Sequence, residues 1–189
     1  WAAMERSGAY IGLDFSAALL DEAQKAVQAA DHPNLQIEFY RASLAAPDWP
    51  TVLPPLQWDG ILAFAALHHL PGAILRRSIL QNVRSLLPTG KLFIHSEWQF
   101  QHSPRLMARR HDWNEIGLTE QDVEPGDTLL DWRYALPGQQ EQSALRYVHL
   151  FDRAELAELA ADTHFEIVDE FESDGEGGRL GLYQVWSAV

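Results

Sequence analysis

Cysteine is absent from this chain. That excludes disulfides and thiolate metal sites, and it fits a reducing, cytoplasmic setting. No apolar run approaches the ~18 residues that a membrane helix needs, so no membrane partner is expected. No signal peptide is read at the start. Basic residues are scarce: 14 Lys and Arg stand against 27 Asp and Glu, for a formal net charge of −13. A broad nucleic-acid surface needs clustered Lys and Arg, so the balance argues against DNA and leaves only a local basic groove open. The chain also has no Gly-x-Ser-x-Gly elbow, no standout carboxylate pair and no internal repeat. Its 189 residues predict one domain able to bury a sizeable core.

The stretch AYIGLDFS, residues 9–16, organises the rest. Tyr10, Ile11 and Leu13 form a short β-prone run. Asp14 ends it, and Ser16 can cap a helix over 17–30. A carboxylate at this handover sits at the carboxyl edge of a parallel sheet, where open α/β sheets bind ligands. It can accept hydrogen bonds from the vicinal hydroxyls of a ribose. It can equally do no more than start the helix.

Residues 1–8 read as the end of a helix closed by Gly8. Residues 31–34 read as a turn. Residues 35–44 alternate as a half-buried or edge strand, and the proline-rich 45–57 read as a loop. Residues 58–67 are continuously apolar after Asp59, as in a central parallel strand covered on both faces. Pro71 opens a helix with Leu75, Ile79, Val83, Leu86 and Leu87 on one face, and Arg76, Arg77 and Arg84 off it. Residues 91–96 give the next strand. This order predicts a doubly wound, mostly parallel α/β sheet.

Residues 97–150 are less regular and hold Trp98, Trp113 and Trp132 with several arginines. They read as a substrate-side insertion or lid, or else as a helical cover packed by its aromatics. Asp152 and Glu155 have capping-box spacing, and Phe151 and Leu156 have that of a hydrophobic staple. Residues 165–171 and 180–186 predict a closing antiparallel hairpin. The glycine-rich run 175–181 lies between these strands, so it reads as a turn and not as a phosphate cradle. His68 and His69 are adjacent, without the spacing or acidic neighbours of a metal pair, and suit pocket lining in a loop at a strand's carboxyl end. No metal site is expected. The fork of Arg146 suits a carboxylate or phosphate, though on its own an ion pair with surface acids explains it as well.

Together YIGLDFSAALLDEA, WDGILAFAALHHLPG, RRSILQNVRSLLPTGKLFIHSEWQ and the closing helix and hairpin resemble the class I S-adenosylmethionine-dependent methyltransferases, with a domain of type 11. The resemblance implies a Rossmann-like fold and S-adenosyl-L-methionine as cofactor. It implies that Asp14 holds the cofactor ribose, that Phe15, Ala42, Ser43 and Leu44 lie about the adenine, and that Ala65, Leu67 and His68 lie along the methionine part. Ser43 stands where the family usually has Asp. The family's opening strand and D-x-G-x-G-x-G turn have no counterpart in residues 1–8, so the chain reads as lacking the first βα unit.

A narrower resemblance is to the tRNA wobble-uridine carboxymethyl methyltransferases. It rests on LAFAALHHL, LRRSIL, GDTLLDWR (126–133) and RYVHLF (146–151). It implies a carboxylate acceptor on a modified uridine, with His68, Arg146 and His149 catalytic. It further implies that His69, Arg77, Trp98, Trp132, Arg146 and Tyr147 contact the substrate. A small-molecule acceptor, or a degenerate non-catalytic binding domain, are the alternatives. Some relatives need a small activating protein partner, which is a further expectation.

Overall fold

The computed structural model describes residues 7–30, 34–134, 140, 142–175 and 177–189. These form two compact units, 1–56 and 57–189, taken separately below. The expected turn at 31–34 and the opening stretch 1–6 fall largely or wholly outside the described residues.

In the first unit, strand β1 (Gly8–Asp14) pairs in parallel with β2 (Leu35–Arg41) around helix α1 (Ala17–Ala29). Ser16 caps α1 as expected, its side chain accepting from the Leu19 N–H. Gly8 does not close a helix. It opens β1 and donates its N–H to the Asn34 carbonyl. The loop after β2 contains a single 3-10 turn, Trp49–Val52, which buries Trp49.

In the second unit, β3 (Gly60–Phe64) runs parallel to β4 (Leu92–Trp98). Strand β9 (Gly181–Ala188) is antiparallel to β4, and β8 (Phe165–Ser173) is antiparallel to β9. The sheet order is β3-β4-β9-β8. The closing hairpin is present as expected. Strand β3 was expected to be central. Within its own sheet it is an edge strand, and Leu62 and Phe64 are exposed. Helices α2 (Ala73–Leu86) and α4 (Arg153–Asp162) pack on each other. Pro71 does not open α2. The helix starts at Ala73 after Gly72, whose φ of +87° needs glycine.

The core of this unit contains an aromatic cluster. Phe93, Phe165 and Trp186 are buried, with ring centroids 5.6–5.9 Å apart. Such tilted and edge-to-face pairs add about 0.5–1.5 kcal/mol each beyond the area they bury. Asp152 caps α4 by accepting from the Glu155 N–H. The Glu155 carboxylate turns instead to Arg76 and His149, so the box is half-made.

Residues 97–150 are more regular than expected. After a short helix α3 (Pro104–Met107) come β5 (Arg110–His111), β6 (Asp127–Tyr134) and β7 (Gln142–His149) in one antiparallel sheet. This is neither a plain connection nor a helical cover. Among the described residues the parallel ladders are β1–β2 and β3–β4, and the other ladders are antiparallel.

Candidate functional site

Parallel β3 and β4 end at the same edge of their sheet, and the candidate site is built there. At the end of β3 the chain turns through Ala65, a non-glycine residue with φ of +51°. Its N–H is held by the Ser96 carbonyl and hydroxyl. A 3-10 turn, Leu67–His69, follows and buries Leu67 and His68. At the end of β4 stand Glu97, wholly buried, and Trp98.

Glu97 bridges two buried histidines. Its Oε2 lies 2.9 Å from His68 Nδ1 and accepts the His68 backbone N–H at 3.1 Å. Its Oε1 lies 3.0 Å from His95 Nδ1. The Trp98 backbone N–H reaches His68 Nδ1 at 3.3 Å. His68 Nε2 and His95 Nε2 are both buried without a partner among the described residues. Burial pushes His68 down to about 2, helped by the charge of Arg146, and His95 down to about 3. Burial raises Glu97 well above the usual carboxylate range.

Strand β7 builds the rest, through its period of two. One face sends Val148 into a small core with Phe100 and Leu130, against which Trp98 packs. Arg146, two residues earlier, places its guanidinium 4.4 Å over the Trp98 ring. His68 stacks on the same Trp98 at 5.2 Å. Among the described residues Arg146 makes no hydrogen bond or ion pair, and its Nε is buried without a partner. Desolvation and the charge of Arg109 lower its pKa. Buried Asp131, whose charge acts on Arg146, is itself bound to Arg109 and Arg133.

The other face of β7 sends Tyr147 and His149 into a polar cluster. Tyr147 donates to Asp127 at 2.5 Å. Burial and this bond raise its pKa. His149 has both ring nitrogens committed, Nδ1 to Asp127 at 2.6 Å and Nε2 to Glu155 at 2.9 Å. Burial opposes its charge, but the two carboxylates prevail and its pKa is raised. Arg76, expected off the core face of α2, is 1% exposed and pairs with Glu124 and Glu155. Glu124, Asp127 and His149 come close enough to hold a metal ion. The Arg76 guanidinium pairs with Glu124 at that corner.

The structure thus gathers His68, His69, Trp98 and Arg146, with Tyr147 next to Arg146 on the opposite face of β7. His69 is exposed, faces the Tyr147 carbonyl through Nδ1 at 3.1 Å and meets Trp98 edge-on. Burial lowers its pKa. Arg77 is not brought there; it pairs with Asp162 at a half-exposed surface. Trp132 lies on β6, 42% exposed. Sequence reasoning missed Glu97, His95 and Arg76. The signal was the polar run His95-Ser96-Glu97 at the end of a strand, His95 and Glu97 on one face and Ser96 on the other.

In the first unit, Asp14 is half-buried and its Oδ1 accepts the Ser16 N–H at 2.7 Å. Phe15 is 70% exposed, and its carbonyl takes the Arg41 Nε. Ala42, Ser43 and Leu44 follow β2 directly, and the Ala42 N–H returns to the Asp14 carbonyl.

A methyltransferase-domain model matches residues 1–92. No curated protein matches the sequence. An S-adenosylmethionine-dependent methyltransferase from Clostridium acetobutylicum is similar with a TM-score of 0.68 at 9% identity, over 96% of this chain and 75% of that one. One from Methanosarcina mazei gives 0.67 at 20% identity, over 96% and 82%. The glycopeptide N-methyltransferase MtfA, complexed with S-adenosyl-L-methionine, gives 0.62 at 11%, over 95% and 72%. The fold is therefore the Rossmann-like α/β fold of the S-adenosylmethionine-dependent methyltransferases.

Proposed function

We propose that this chain is an S-adenosylmethionine-dependent methyltransferase whose acceptor presents a carboxylate, on a modified tRNA uridine. The observation that carries the acceptor is Arg146: an uncommitted guanidinium, laid on Trp98 beside buried His68, at the carboxyl edge of β3 and β4. A planar fork of fixed charge, unpaired in a very acidic protein, suits a carboxylate brought by the substrate.

Asp14 fits a ribose. One oxygen is pinned by the Ser16 N–H. Its other oxygen is left to accept from hydroxyls. Ser43, exposed just after β2, offers a hydroxyl toward an adenine amine. When bound, S-adenosylmethionine supplies a methyl group on a sulfonium that departs as the neutral thioether. A carboxylate acceptor is already ionised at neutral pH, so no side chain has to remove a proton. Arg146 orients the acid and Trp98 provides a flat wall. Their contribution is alignment. The depressed pKa of His68 agrees with this, because an imidazole titrating near 2 is a poor proton acceptor at neutral pH. His149 is held by carboxylates on both nitrogens and sets the base of β7. The net charge of −13 makes any tRNA contact local. A small activating protein partner would enlarge that contact.

MtfA acts on a glycopeptide nitrogen, so a small-molecule amine is the competing acceptor class. Arg146→Ala separates the two. It abolishes turnover of a carboxylate acceptor while leaving cofactor affinity unchanged. Turnover that survives the substitution removes the carboxylate assignment. Asp14→Ala abolishes cofactor binding, and unchanged affinity removes the ribose assignment.

A further inference from the structure

We infer that Glu97 is a neutral carboxylic acid that fixes His68 in the Nε2–H tautomer, so that His68 presents a hydrogen-bond donor, and not a base, beside Arg146. The argument is a count of protons. The Trp98 backbone N–H approaches His68 Nδ1 at 3.3 Å, and a backbone amide can only donate. Nδ1 is then bare. Glu97 Oε2 lies 2.9 Å from that same bare nitrogen, so the carboxyl supplies the proton between them. Oε2 keeps a lone pair for the His68 backbone N–H at 3.1 Å. On the far side Oε1 accepts from His95 Nδ1 at 3.0 Å. The chain of bonds runs His95 Nδ1–H to Glu97, then Glu97 O–H to His68 Nδ1. Every contact has one proton, and no charge is left in a spot where Glu97, His68 and His95 are all 0% exposed.

The alternative is an ionised Glu97 with His68 Nδ1–H. That leaves a carboxylate sealed from water with no cation in contact, and a Trp98 N–H aimed at another N–H. An isolated buried carboxylate is expensive enough that such groups neutralise instead. The raised pKa of Glu97 points the same way. With the proton on Nε2, His68 holds a buried donor that no described residue accepts. A donor and the Arg146 guanidinium suit an anionic acceptor. A bare Nε2 would suit an acceptor that must be deprotonated. What His68 does for a substrate rests on the proposed function. The tautomer does not.

Glu97 acts through His68 and is a positioning residue. The test uses the purified chain labelled with ¹⁵N-histidine, in the absence of ligand. Two-bond ¹H–¹⁵N correlations at neutral pH read which nitrogen of each ring carries the proton, with His68→Gln assigning the His68 signals. The expected pattern is Nε2–H for His68 and Nδ1–H for His95. Glu97→Gln keeps both tautomers, because an amide also donates to His68 Nδ1 and accepts from His95, although it gives up the bond from the His68 backbone N–H. Glu97→Leu leaves His68 Nδ1 only the longer Trp98 N–H and raises the share of the Nδ1–H tautomer. His68 protonated on Nδ1 in the unmodified chain overturns the inference, as does loss of the pattern in Glu97→Gln. Failure to methylate any acceptor with the pattern intact overturns the proposed function and leaves the Glu97 assignment standing.

Discussion

A neutral Glu97 has a thermodynamic signature that can be separated from every other titrating group. The perturbation is Glu97→Gln, which keeps the shape and the donor to His68 Nδ1 but cannot ionise, nor accept the His68 backbone N–H. In the unfolded chain Glu97 loses its proton near its ordinary value of 4.5, whereas in the folded chain it keeps it. Its folded pKa is raised. Its stabilising contribution is therefore fully present below pH 4.5 and is lost as pH rises toward the folded value. One proton of difference changes stability by about 1.4 kcal/mol per pH unit. Unfolding free energy of the unmodified chain minus that of Glu97→Gln should thus fall as pH rises above 4.5, by up to about 1.4 kcal/mol per unit for as long as folded Glu97 keeps its proton. His68, His95 and the surface acids titrate in both proteins and cancel. Urea denaturation followed by tryptophan fluorescence reads this, since Trp186 is buried. A difference that stays flat across that range means Glu97 is ionised in the folded chain, and the proton count fails.

Other outcomes follow from the same network. His68 and His95 have folded values of about 2 and about 3, so their contribution is whole above pH 6.5 and drains as pH falls, by about 1.4 kcal/mol per unit each; replacing His95 by Gln halves that acid slope. His149 goes the other way: its folded value is raised, so its contribution is present below pH 6.5 and lost above it, and His149→Gln removes that alkaline loss in the same denaturation series. Arg76→Met strands Glu124 and Glu155 around a buried site and costs about 3–5 kcal/mol, read as a drop in urea midpoint. Trp98→Ala removes the surface shared by Arg146 and His68 and lowers turnover at least tenfold in a methyl-transfer assay, with cofactor affinity kept.

The β1–α1 handover was legible because Ser16 caps and Asp14 stops the strand, both through local hydrogen bonds. The α4 cap at Asp152 and the β8–β9 hairpin were legible for the same reason. What escaped was long-range and polar. Strands β6 and β7 bury Asp131 and His149, which breaks the alternation that marks a strand. Arg76 reads as a surface residue until Glu124 and Glu155, far along the chain, are seen to neutralise it. Glu97 falls just past the strand read over 91–96, and only the structure shows both its oxygens meeting histidines. Burial of a charge or an acid depends on partners that no local pattern records.

The most direct test of the account is transfer of a labelled methyl group from S-adenosylmethionine to tRNA carrying carboxylated uridines, run beside a panel of small acids and amines, with Arg146→Ala as the paired control. The account predicts label on the tRNA that mild base releases, as an ester must, and none with Arg146→Ala. Label that resists base, or that Arg146→Ala leaves unchanged, contradicts the carboxylate assignment. No label on any acceptor contradicts the methyltransferase reading itself.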